Sequence, residues 1–350
     1  MKGSIKLVKV FGISINVHIT FFLLLLLVAP GGIRWVVLLL GVFFFVTVHE
    51  ICHSLMAKRF GISVREITLL PIGGISSMSR IPERPIQEFL ISIAGPVSNI
   101  VIVAVFFFPM KYLLGPEILF HPLSASTWPL TAAYLYWINL ILAAFNMIPA
   151  FPMDGGRVLR AILALRIGYH KATKVAVTFG HIFALMFAYF GIVRTNLILI
   201  FIAIFIYIAA SNEGANVDIK ETLKKFKVRD ILPRDFISID SGTTLAKVLE
   251  LVFHSHQEDF PVIDGKLLTG FITRHDIMQG MHSYGMEKSV GEVMRRTFPK
   301  IKDTDSLIKA QGIMHEKGMR ALPVMKDDQV VGVVTVEDIS RVYAITSQKI

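Results

Sequence analysis

Cysteine is almost absent: the 350 residues hold one, Cys52. A lone thiol excludes an intrachain disulfide and leaves no cysteine-based zinc or redox site elsewhere, which fits soluble parts in a reducing compartment. Charge is also scarce, at 18% of residues against 53% hydrophobic, and the mean hydropathy is +0.61. That balance excludes an ordinary soluble globular chain, and much of the apolar excess lies before residue 212. Net charge is nearly missing from the second half: residues 218–350 hold 20 bases against 19 acids, whereas residues 1–217 hold 16 against 7. Nucleic acid is therefore excluded as a partner, and the basic surplus of the first half is read as an orientation signal. Missing too is an A-x-A-like cleavage site after the first apolar run, Ile19 to Val28, where Pro30-Gly31-Gly32 stands instead. The run is read as a retained first anchor rather than a signal peptide.

What is present is a series of apolar runs. Six spans can be drawn at about 18–33, 35–57, 88–109, 130–148, 174–193 and 195–211. Basic residues in the segments before and between them number 3, 1, 5, 1, 5 and 1, an alternation that places both termini in the cytoplasm. The expected class is a polytopic α-helical protein of the cell (plasma) membrane, multi-pass in the lipid bilayer, with a C-terminal α/β appendage. Ile5 to Val17, interrupted at Phe11-Gly12, and Ile62 to Ile75 read as strands of a small membrane-associated β-sheet on the cytoplasmic side.

Inside the second span lies His49-Glu50-Ile51-Cys52-His53. Ionisable groups within a bilayer persist mainly where they pair, bind an ion or line a watered cavity. On a helix, His49 and His53 share a face at the spacing that lets two imidazoles hold one zinc while Glu50 reaches its water. A catalytic zinc needs a third protein ligand and an open position. Asn146-Met147-Ile148-Pro149-Ala150-Phe151-Pro152-Met153-Asp154-Gly155-Gly156-Arg157 offers Asp154, in a stretch whose prolines and glycines forbid a continuous helix.

HExxH in one span paired with N-x-x-P-x-x-P-M-D-G-G after a later one resembles the site-2 protease family of intramembrane zinc metalloproteases, over about residues 1–210. Ala94-Gly95-Pro96-Val97-Ser98-Asn99 looks like that family's third-span signature. The resemblance implies that His49, His53 and Asp154 hold Zn2+ and that Glu50 acts on its water. It also implies a membrane-spanning or membrane-associated protein substrate, cut within or next to the bilayer in regulated intramembrane proteolysis. Met153 stands where the family usually has leucine, and Cys52 where it has a smaller residue; Cys52 is read as a spectator thiol rather than a fourth, inhibitory ligand. Asn146 is placed near the metal by the same resemblance, either as an amide donor to the oxyanion or as a partner for backbone freed at the helix break. Ile72-Gly73-Gly74-Ile75 reads either as an edge where an extended substrate adds as a strand or as a plain turn. His18 and His181 have no carboxylate or second histidine at metal spacing and are read as structural.

The C-terminal half repeats at an offset of 62 residues: Val228 with Val290, Pro261 with Pro323, Gly270 with Gly332, Thr273 with Thr335, Asp276 with Asp338. Two copies of one unit must pack on each other to bury their apolar faces. Each copy reads as a strand running into a helix, with Thr at the turn and Asp in the first helical turn. Together they resemble a tandem pair of cystathionine-β-synthase (CBS) domains over about residues 226–345. That resemblance implies an adenine nucleotide (ATP, ADP or AMP) or another small adenosyl ligand at Thr273, Asp276, Thr335 and Asp338, and association into a homodimer or higher oligomer. The same residues equally suit helix N-caps. The expected domains are 1–211, a basic linker 212–227, and CBS domains at 228–285 and 286–345. The rival reading is a membrane transporter or channel gated by the CBS pair, with HExxH and Asp154 as an ion path.

Overall fold

The computed structural model describes residues 3–71, 73–78, 82, 84–120, 127–233, 235–255 and 257–347. The chain divides into two compact units, Met1–Ala215 and Asn216–Ile350.

In the first unit, β1 (Ser4–Val10) and β2 (Ile13–His18) form a hairpin over Phe11 and Gly12, both at positive φ. Helices α1 (Ile19–Val28) and α2 (Ile33–Arg59) follow, and the chain returns through β3 (Val64–Leu70) and β4 (Gly73–Met78). The strands make one sheet in the order β1-β2-β3-β4, with β2 and β3 parallel, so α1 and α2 together form the crossover. The small sheet expected from the two β-branched stretches is present. β4 pairs only with β3 among the described residues and forms an edge of the sheet. Ile72 lies outside the described residues.

Helices α3 (Pro85–Phe120), α4 (Trp128–Asn146), α5 (Asp154–Ile167), α6 (Tyr169–Val193) and α7 (Leu197–Lys225) complete the unit, α7 running past its boundary. Among the described residues, α2, α3, α4, α6 and α7 are long and apolar enough to cross a membrane. Their outward faces carry bare apolar side chains such as Phe108 and Ile198, 73% and 71% exposed, while Glu88, Asn99, Asn139 and Arg160 are buried. Apolar outside and polar inside is the distribution of a chain solvated by lipid.

Two spans differ from expectation. The first is a ten-residue helix, α1, with a single turn of 3-10 helix after it. About 15 Å of helix is half of what a hydrocarbon core requires. Pro30 and Gly32, the latter at φ 94°, end it where the apolar run would have continued. The last helix does not stop at Ser211. It runs on to Lys225, through most of the basic stretch, with Val217 and Leu223 buried.

The second unit contains α8 (Leu245–His254), β5 (Phe260–Asp264), β6 (Leu267–Ile272), α9 (Arg274–Tyr284), α10 (Val290–Val293), β7 (Ile301–Lys302), α11 (Leu307–Lys317), β8 (Ala321–Lys326), β9 (Gln329–Thr335) and α12 (Val336–Ser347). The repeat persists into the hydrogen-bond register. Val262 faces Gly270 and Val324 faces Gly332, and each hairpin has a register shift at the next residue. Phe271, from the first copy, is fully buried in a cluster built mainly by the second, with Leu322, Val324 and Val334. The two copies therefore share a core, as one copy alone could not bury both faces of its sheet.

Candidate metal centre

Helix α2 presents His49 and His53 one turn apart, both buried. Their partner arrives from far along the chain. α4 ends at Asn146, the segment 147–153 contains Pro149 and Pro152, and Asp154 opens α5. Gly155 and Gly156 let this segment fold back on the first turn of α5: a Cβ at 155 would strike the carbonyls of Met147 and Ile148, and one at 156 the backbone of Ala150 and Phe151. The sequence Asp-Gly-Gly is thus a steric condition for holding the carboxylate where it is.

The result is a triangle. His49 Nε2 and His53 Nε2 lie 3.0 Å apart, and each faces Asp154 Oδ2, at 3.0 and 3.1 Å. The outer ring nitrogens decide what these inner atoms are. His53 Nδ1 donates to the carbonyl of Ile91 at 2.6 Å, and His49 Nδ1 to Asn99 Oδ1 at 3.3 Å. With the protons on Nδ1, both Nε2 atoms carry lone pairs, and Asp154 adds a carboxylate oxygen. Three acceptors pointing at one another repel unless a cation lies among them. The donor set, two neutral imidazoles oriented by hydrogen bonds on their far side plus one carboxylate, fits a divalent metal with a coordination position left open.

Helix α3 frames the site. Besides Ile91 and Asn99 it supplies Gly95, where any Cβ would collide with both imidazoles. Asn99 is held in turn by Asn139 of α4, whose Nδ2 donates to its carbonyl at 3.0 Å. The sequence flagged Ala94 to Asn99 as a signature without giving Asn99 a role, and Asn139 escaped notice; an amide inside an apolar run was the available signal for both.

Glu50 sits next to the imidazoles, and on its other side is the edge strand: a Cβ on Gly74 would run into the Glu50 side chain. Gly73, at φ 135°, begins that strand. Asn146 is half-buried at the end of α4, and no hydrogen bond ties it to the triangle. Cys52 stands outside the cluster. His18 caps α1, while His181 bonds Ser211 and stacks on Tyr207. α2, α3 and α4 also line a half-open cavity of about 490 Å³ whose largely apolar wall includes Phe44, Val48, Phe106 and Leu135.

In the second unit, Thr273 and Thr335 cap α9 and α12. Thr273 Oγ1 donates to Asp276 Oδ2 at 2.6 Å, and Thr335 Oγ1 to Asp338 Oδ2 at 2.7 Å. Their environments then diverge. Arg295 grips Asp276 through Nε and Nη2, both at 2.8 Å. Burial works against that carboxylate's charge, but the Arg295 and Thr273 hydrogen bonds hold it below the ordinary aspartate value. Asp338 has no salt bridge among the described residues.

The fold and this site define a membrane metalloprotease with a C-terminal CBS pair. The Peptidase family M50 model matches residues 37–127 and 117–187, and the CBS domain model matches 228–283 and 290–345. A zinc metalloprotease of Methanocaldococcus jannaschii is 33% identical over 327 residues, covering 89% of this chain and 92% of that one. The chain belongs to Peptidase family M50. A solved site-2 protease from the same organism is 40% identical, covers 60% of this chain and 95% of its own, and superposes with a TM-score of 0.47. A solved CBS pair in complex with 5′-methylthioadenosine and S-adenosyl-L-methionine is 26% identical, covers 35% of this chain and 98% of its own, at a TM-score of 0.33. The gated-transporter reading is not favoured.

The purified protein is expected to hold about one divalent transition metal per chain by elemental analysis, lost in both His49→Ala and Asp154→Ala. Metal retained in both variants would remove these residues as ligands.

Proposed function

We propose that this chain is a zinc-dependent intramembrane endopeptidase that receives its membrane-protein substrate as an added strand on β4. One observation carries the reading: the His49, His53 and Asp154 triangle and the Glu50 carboxylate lie beside an unpaired sheet edge whose glycine packs on Glu50. Zinc, when bound, supplies a polarised carbonyl and water acidified toward neutral pH. Glu50 takes the proton of the attacking water and returns it to the leaving amine. Asn146, at the end of α4, offers its amide to the oxyanion. A transmembrane helix has its backbone amides already paired, so it must be unwound before cleavage. β4 provides the replacement hydrogen bonds, and Gly73 and Gly74 keep side chains out of the way.

The basic-residue alternation supports a cytoplasmic N-terminus, C-terminal unit and site opening. The duplicated Thr and Asp positions support an adenine nucleotide or other adenosyl ligand in the CBS pair. Asp338, free of the ion pair that occupies Asp276, is the better ribose acceptor. The exposed apolar residues of this unit, among them Phe253 and Leu267, support association through the CBS domains.

Glu50→Gln is expected to lower cleavage of a membrane-spanning test substrate at least about 100-fold while leaving bound metal unchanged. Cleavage that survives would transfer the base role elsewhere. In the same assay Gly74→Val, which drives a side chain into Glu50, is expected to depress kcat more than metal content; wild-type turnover would remove β4 as the docking edge. ATP, ADP, AMP and S-adenosylmethionine, added in turn, are expected to change the cleavage rate in at least one case, and Asp338→Ala to abolish that response. Indifference to all four compounds would leave the pair a docking or dimerisation module.

A further inference from the structure

All three sides of the triangle refer to one helix. His53 is fixed to Ile91 and His49 to Asn99, both on α3. Asp154 makes no such bond among the described residues; α5, which it opens, packs directly on α3, and Arg160 of α5 adds a buried ion pair between the two helices. That side chain is fully buried, and its Nε donates to Glu88 Oε1 of α3 at 2.8 Å, with Nη2 on the same oxygen. Its guanidinium also lies 4.7 Å from the ring centres of Phe151 and Tyr169. Phe151 precedes Asp154 by three residues and Arg160 follows it by six, so one guanidinium holds the carboxylate's elbow from both directions.

The third corner of this clamp is Glu213 of α7, whose Oε1 accepts from Arg160 Nη1 at 2.6 Å. α7 continues to Lys225, and Leu223 near its end belongs to the core of the second unit. Glu88 accepts from the guanidinium only through Oε1, Oε2 having no partner among the described residues. The cluster's remaining charge-assisted bond is therefore the one to the helix shared with the second unit. If α7 withdraws Glu213, Arg160 keeps Glu88 and the two rings but loses its Nη1 bond, so the guanidinium is no longer held on that side.

We infer that Arg160 is a positioning residue for the metal ligand Asp154, and that Glu213 makes the position of α7 an input to the metal centre. The inference rests on the metal-centre reading above. Second-sphere partners of metal ligands are worth about 10–100-fold in affinity. The guanidinium fork also bonds two carboxylates at once, which an ammonium cannot reproduce in the same geometry.

The test uses the full chain loaded with cobalt(II), reading the visible absorption band and the cobalt dissociation constant, with melting followed by circular dichroism. Arg160→Lys is expected to weaken cobalt binding about 10–100-fold and to shift the band. Glu213→Gln, which keeps shape and loses charge at a partly exposed position, is expected to shift the band in the same direction with a smaller loss. Ser211→Ala, which removes the His181 contact and the bond to the Tyr207 carbonyl on the same helix, is expected to change neither. Bands and constants unchanged in folded Arg160→Lys and Glu213→Gln would overturn the inference, as would an equal shift in Ser211→Ala. If Arg160→Lys does not fold, Glu213→Gln decides alone. A wild type that binds no cobalt would sink the metal-centre reading, a result distinct from normal wild-type binding with indifferent variants.

Discussion

Two imidazole lone pairs and a carboxylate oxygen, each about 3 Å from the others, face inward in a bundle whose outside is bare hydrocarbon. Nothing else in the first unit makes sense without that arrangement. Three acceptors so placed call for a cation among them, and the chain fixes each from behind. α3 supplies two hydrogen-bond acceptors that fix the ring tautomers, a glycine where any side chain would displace the rings, and a glutamate that anchors the arginine behind the third ligand. A helix built around such a task is polar along one inner face and apolar elsewhere, and α3 carries Glu88, Ser92 and Asn99 buried along it.

The three residues of the triangle are legible in the sequence because their signal is local: a four-residue spacing fixes His49 and His53 on one face, and prolines with glycines mark the break that presents Asp154. The sheet was legible through β-branched alternation and the tandem unit through its 62-residue offset. What escaped depends on tertiary proximity. Nothing in residues 154–160 says that Arg160 meets Glu88 and Glu213, which lie 72 and 53 positions away. The first apolar run, Ile19 to Val28, is α1 itself; with the 3-10 turn at Ala29–Gly31 it fills most of the span drawn at 18–33 but is too short to cross a membrane unaided. α7 carries on past the last expected span to Lys225, with Val217 and Leu223 buried among its lysines.

Duplication in the second unit is close enough to preserve a register shift at matching positions, yet it is broken by one side chain. Arg295 pairs with the first copy's aspartate, and among the described residues Asp338 of the second copy has no such ion pair. Two sites of common ancestry thereby acquire different electrostatics without any change in backbone. Fold conservation and ligand preference are separable properties, and a single arginine is enough to separate them.

The free edge of β4 sets a condition on the solvent. Backbone amides and carbonyls left unpaired beside an apolar helix need water when no guest strand is present, since hydrocarbon offers them nothing. Peptide hydrolysis needs water at the same place. On the proposed docking, water at that edge would also be the reagent store. An arriving strand would strip water from the amides of β4 and leave the remainder confined between its own carbonyl and Glu50. Occupancy of the edge and supply of the nucleophile would then be one event.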